Sequence, residues 1–271
     1  MVKKLFKHEF SAWMRIMGII YIVMLSCSAV FRLFLCLESD SVAFEVISVL
    51  GAVIFILFLT VCISFCPIFG IVRFYKNLFT GEGYLTLTLP VTAAQHIWVK
   101  ALTSAAMLLL TLLVTVLSVT IVMLGDVLTE AVKAADYLLK QIPAQYSGHI
   151  VGYCVEFLIF LVAGSIFGPM LYYACICIGQ LFRKHRVLGA IGVYFGYYYL
   201  CQILISVAMG AMAIAGEAGA VDVIGESVPT TAETLGMYHG LLCTGILWTV
   251  GIGMIYYVIC HHILSKKLNL E

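Results

Sequence analysis

The sequence predicts an all-α polytopic membrane protein: six transmembrane helices, an amphipathic N-terminal interfacial helix and an ordered cytoplasmic connector. Three observations carry that prediction. Hydrophobic residues make up 63% of the 271 and charged residues only 11%, against about 25% charged in soluble domains, and mean hydropathy is +1.10. Six apolar blocks reach or exceed the roughly 20 residues that cross a hydrocarbon core about 30 Å thick. Lysine and arginine fall on one side of the resulting threading.

The blocks run approximately over Ile16 to Leu37, Phe44 to Val72, Ile97 to Gly125, Ile150 to Leu181, Val187 to Ala215 and Gly240 to Leu264. They leave no room for a separate soluble domain, so residues 1–271 read as a single transmembrane unit. Backbone amides in lipid must be bonded within the chain, which makes blocks of this length helices. Ahead of the first block, Lys3 to Arg15 gathers Leu5, Phe6, Phe10, Trp13 and Met14 on one broad face with cations opposite. This pattern predicts a helix that lies along the membrane surface before turning inward.

Lys3, Lys4, Lys7, Arg15, Arg73, Lys76, Lys100, Arg183, Lys184, Arg186, Lys266 and Lys267 share one side of this threading, and only Arg32, Lys133 and Lys140 lie on the other. The cationic side is the cytoplasmic one by the usual rule, so both termini are expected in the cytoplasm and the chain in the plasma membrane. Most acids run the opposite way, which the net charge of +1 conceals. A concentrated basic face on a soluble module is missing, so a nucleic-acid partner is not expected; the lipid bilayer is.

The chemistry of an enzyme or a metal centre is not visible. All ten cysteines fall within or at the edges of spans, as small apolar filler between helices. Cys62 and Cys66 share a face, but a closed metal site wants four ligands. His261 and His262 point about 100° apart on a helix and cannot chelate one ion together. Neither an HExxH nor a GxSxG motif occurs, so no catalytic residue and no metal ligand is assigned. Glu156 is the acid deep in a predicted span, and Arg32 is its candidate partner in an intramembrane ion pair. A role in substrate handling, or no relation between the two, are the alternatives.

Gly164 with Gly168, and Gly192 with Gly196, give small-residue spacing that favours close helix approach, by internal packing or in a dimer. In the fifth span Tyr194, Tyr198, Gln202, Ser206 and Gly210 recur every four residues. Lipid is a poor neighbour for this row, which faces either other helices or a passage. On the outer side, Asp126 to Gly148 has the helical apolar spacing of a surface-lying amphipathic helix. Glu217 to His239, acidic and carrying Gly219, Gly225 and Pro229, is expected to be irregular or shallowly re-entrant.

The connector Arg73 to Lys100 is too ordered for a simple turn. Arg73 to Phe79 continues the second helix; Gly81 and Gly83 bracket Glu82 and break it; Leu85, Leu87 and Leu89 alternate with threonines up to Pro90. Thr92 followed by Gln95 is a capping box that starts the third helix, with Trp98 and Lys100 as interfacial anchors.

Glu82-Gly83-Tyr84-Leu85-Thr86-Leu87-Thr88-Leu89-Pro90-Val91-Thr92, with Lys100 downstream, resembles the cytoplasmic loop after the second span in permease subunits of bacterial type-2 ATP-binding-cassette exporters. Ile178 to Arg186 and the tail Lys266 to Glu271 are similar to segments of the same family. The resemblance implies a cytoplasmic coupling segment. Two permease subunits, identical or paralogous, would sit over two ATPase subunits that bind ATP and magnesium and press on it. By matching position Phe79, Glu82, Gly83, Tyr84, Leu89 and Pro90 are the coupling candidates, and the row Tyr194, Tyr198, Gln202 and Ser206 is the candidate pathway lining. A GxxxxGK[ST] loop is not in the sequence, so ATP hydrolysis belongs to a separate nucleotide-binding subunit. The implied cargo is amphipathic, of peptide, drug or lipid-like character. The alternative is a membrane-embedded sensor or accessory protein that binds a partner without transport.

Overall fold

The structure, a computed structural model, describes residues 2–37, 41–80, 91–141, 147–182, 184–222 and 231–266. These form seven helices: α1 (Val2–Leu35), α2 (Val42–Phe79), α3 (Ala93–Met123), α4 (Asp126–Gln141), α5 (Ser147–Gly179), α6 (Arg186–Asp222) and α7 (Thr231–Lys266). No strand occurs among the described residues. All but α4 are long and apolar enough to cross a membrane, which makes this a multi-pass membrane protein.

Local chemistry fixes several ends. Ser41 caps α2, its hydroxyl accepting from the Phe44 amide at 3.2 Å. The capping box forms as expected: Gln95 N–H donates to Thr92 Oγ1 at 3.4 Å and Thr92 N–H to Gln95 Oε1 at 3.2 Å. At the far end α3 turns into α4 through Gly125, whose φ of +105° few side chains tolerate. The amphipathic surface helix expected after Asp126 is α4.

Two expectations need correcting. The N-terminal lead is not set off from the first span by a break. It runs into the first span as one helix of 34 residues, about 50 Å long at 1.5 Å per residue. The reason is a buried stripe, Glu9, Trp13, Met17, Tyr21, Met24 and Ser28, that keeps a single face inward across the whole helix. Nor is Glu217 to His239 irregular throughout, because α6 continues to Asp222 and α7 starts at Thr231.

α3 is the hub. It packs on α1, α2, α5 and α7, and it buries small residues such as Ala101 and Ala105 where helices come close. Its buried hydroxyls mostly return to their own backbone, as Thr103 does to the Val99 carbonyl at 2.8 Å. Others cross to neighbours: Tyr21 of α1 meets Thr111 at 2.6 Å, and Tyr173 of α5 meets Ser104 at 2.5 Å. One apolar core joins Trp13, Met17, Tyr21, Cys62, Cys66 and Met107 between α1, α2 and α3. A second, at the basic end, joins Phe74, Leu78 and Ile97 to Tyr173 and Cys177 of α5 and to Cys260 of α7. All ten cysteines are free thiols.

α6 packs chiefly on α5, and no residue of its most apolar stretch is buried. A Cβ added at Gly164, Gly168, Gly192 or Gly196 would meet nothing within 4 Å. The close helix approach expected there is therefore not made inside the chain. It occurs instead at Gly253, against Phe167, and at Gly179, against Ala190.

Candidate functional site

The residues that converge most tightly lie at the basic end, where α1, α2 and α3 meet. Glu9 is four residues before Trp13 on the buried stripe of α1, and it enters the protein on the same face. Arg73 and Asn77, four apart on α2, share a face and approach it from one side; Lys100, two turns beyond the capping box, approaches from α3. Arg73 Nε donates to Glu9 Oε2 at 2.6 Å, while Asn77 Nδ2 and Lys100 Nζ donate to Oε1 at 3.0 and 3.2 Å. The Glu9 and Lys100 side chains are only 7% and 6% exposed. A carboxylate so buried is tolerable only when paired and hydrogen-bonded, and three donors from two other helices meet that condition. Lys100, expected as an interfacial anchor, is thus turned inward. Trp98 likewise packs against Phe167 and Tyr257.

Just inside this node lies a void of about 10 Å³, bordered by Glu9, Arg73 and Lys100 and closed by Trp13, Gly70, Ser104 and Tyr173. Those last four residues also border a larger cavity of about 360 Å³ between α2, α3 and α5. Trp13 lies close over Gly70, where a Cβ would stand 3.1 Å from the indole, and it meets Phe69 edge-on at 5.1 Å. Tyr173 stacks on Phe74 at 3.9 Å between ring centres. The node, the aromatic wall and the cavity therefore follow one another along the bundle.

The node also ties down both stems of the connector. Arg73 and Asn77 belong to the last two turns of α2, Lys100 to the first two of α3, and Phe74, Leu78 and Ile97 anchor the same stems in the core shared with α5 and α7. Phe79, a coupling candidate, is half-buried against Phe74 and Tyr75. Glu82, Gly83, Tyr84, Leu89 and Pro90 lie outside the described residues.

The other sequence-derived candidates are dispersed. Tyr194 stacks on Tyr172 of α5 with ring centres 5.7 Å apart. Tyr198, Gln202 and Ser206 lie exposed on α6, and the Ser206 hydroxyl donates to the Gln202 carbonyl of its own helix. The Arg32 to Glu156 pair does not form. α1 packs on α2 and α3 rather than on α5, and Arg32 lies over Gly125, where a Cβ would stand 2.5 Å from Nη2. Glu156 pairs instead with His239 of α7, whose Nδ1 lies 2.8 and 2.9 Å from its two oxygens. His239 Nε2 is 3.1 Å from His149 Nδ1, and Tyr153 stacks on the His239 ring at 4.1 Å.

Sequence reasoning passed over Glu9 and His239. A signal existed for Glu9, an acid among Lys3, Lys4, Lys7 and Arg15 and in helical phase with Trp13. None existed for His239, because its partners are 83 and 90 residues away. Among the described residues no group of three His, Cys, Asp or Glu side chains could hold a metal ion. No family model, curated protein or solved structure matches this chain.

Proposed function

We propose that the chain is the transmembrane subunit of an ATP-binding-cassette exporter, carrying an amphipathic substrate across the plasma membrane on ATP hydrolysed by a separate subunit. The observation that carries this reading is the treatment of the connector. Its two stems are cross-linked through Glu9 and rooted in the core of α5 and α7. A push on a segment held this way moves helices, whereas a push on a loosely hung loop is absorbed locally. With the basic end in the cytoplasm, the two stems that carry the coupling candidates stand on the side that holds ATP.

The uncovered face of α6 supports a second permease subunit. Gly192 and Gly196 offer close approach there, and Tyr198 and Gln202 offer polar contacts that lipid does not satisfy. In that assembly the polar row lines the junction between two subunits.

The test is reconstitution in proteoliposomes with a candidate P-loop ATPase from the same genome. Glu82→Ala and Tyr84→Ala are expected to abolish substrate-stimulated ATP hydrolysis and transport while leaving complex formation intact. Unchanged stimulation in both variants refutes the coupling assignment. Failure of the chain to bind the ATPase at all refutes the exporter reading.

A further inference from the structure

We infer that the cavity between α2, α3 and α5 is a binding site for a single-chain amphipathic anion of the long-chain carboxylate type. Its volume of about 360 Å³ falls within the roughly 300–1,000 Å³ of small-ligand pockets. The walls suit an alkyl chain: Cys66 and Pro67 on α2, Leu108 on α3, and Gly168 and Pro169 on α5. Gly168 borders open space, since a Cβ there would meet nothing within 4 Å. The two prolines stand inside their helices, where each removes a helical N–H and crowds the preceding turn, a poor arrangement for close packing of α2 against α5.

The polar end selects the headgroup. Ser104 and Tyr173 bring hydroxyls to the boundary between the cavity and the small void. Beyond them Arg73 engages Glu9 through Nε, and among the described residues its terminal Nη groups make no hydrogen bond. A guanidinium offers five N–H donors in a fixed fork that matches a carboxylate. Glu9 does not compete for a cationic head, because both its oxygens already accept from Arg73, Asn77 and Lys100. The ligand's tail lies in the large cavity and its carboxylate reaches toward Arg73 past Trp13, whose indole over Gly70 is the side chain that must shift. This site belongs to one copy of the chain and is independent of the exporter reading.

Trp13 supplies the reporter. The sequence contains three tryptophans, and Trp98→Phe with Trp248→Phe leaves Trp13 as the only one. The purified chain in nanodiscs is titrated with bromododecanoic acid, bromododecanol and a bromododecyl trimethylammonium salt. The acid is expected to quench Trp13 saturably, at a concentration at least tenfold below either other probe. Gly168→Leu, which fills the cavity, is expected to abolish the saturable phase without lowering the Tm; Leu108→Phe serves the same purpose if that variant does not fold. Arg73→Lys keeps the charge facing Glu9 but loses the fork, and is expected to weaken the acid about tenfold. Quenching that rises linearly and equally for all three probes reports bilayer partitioning only and overturns the site. So does saturable quenching that survives both filling variants.

Discussion

Replacing Glu9 with Gln tests the node without changing the shape of the side chain. One oxygen that accepts from Arg73 at 2.6 Å, or from Asn77 and Lys100 at 3.0 and 3.2 Å, becomes an NH2 group facing donors. Two cations also lose their counter-charge in a place where the carboxylate is 7% exposed. Removing one partner of a buried ion pair costs about 3–5 kcal/mol; two unit charges 4 Å apart at an effective dielectric near 20 interact by about 4 kcal/mol, the same scale. The chain holds its own control. Lys140 and Asp136 form an i,i+4 pair on α4 with side chains 75% and 57% exposed, for which Asp136→Asn should cost about 0.3–0.5 kcal/mol. Equilibrium unfolding of both variants in mixed micelles gives the comparison. A third variant, Glu9→Leu with Arg73→Met and Lys100→Met, should recover most of the loss, because apolar replacement of a whole buried cluster is often neutral. If Glu9→Gln costs under about 1 kcal/mol, or no more than Asp136→Asn, the node is solvated and the argument from it fails.

Other outcomes follow from single contacts. Thr92→Ala removes the hydroxyl that caps α3 and should destabilise the protein by about 1 kcal/mol, read as a lowered unfolding midpoint with an unchanged slope. Gly125→Ala forces a side chain onto a φ of +105° beside Arg32 and should cost about 1–3 kcal/mol; adding Arg32→Ala should return only the part due to crowding. His239→Phe keeps a ring against Tyr153 but strands Glu156, for about 1–3 kcal/mol. Adding Glu156→Gln should recover part of that loss in the same unfolding measurement, and additive losses would mean that the two side chains do not interact.

Hydropathy found all six spanning helices, but it gives the apolar block and not the helix. The second block ends at Val72, where lipid-like composition ends; the continuation over Arg73 to Phe79 is read from the residues beyond it, and α2 does run to Phe79 because Phe74 and Leu78 have protein to pack against. A hydropathy scale reports depth in lipid. A helix continues wherever its backbone is bonded and one face is covered. The capping box at Thr92 was legible because all its parts lie within four residues. Glu9 was half legible, its phase shared with Trp13 but its partners 64 and 91 positions away. The Arg32 to Glu156 expectation rested on depth alone, which says how far two charges lie along the normal and nothing of which helices stand between them. His239, Tyr153 and His149 meet only because α5 and α7 pack together, and no local pattern encodes that.

The distance along the chain between Glu9 and its cations also sets an order of events during synthesis. The carboxylate leaves the ribosome first, meets Arg73 only when the second helix is complete, and gains Lys100 only once the third has begun. Until then the first helix has an acid on its inward face and nothing to neutralise it. α1 is therefore made before the helices that neutralise its acid, and the arrival of α3 completes the node.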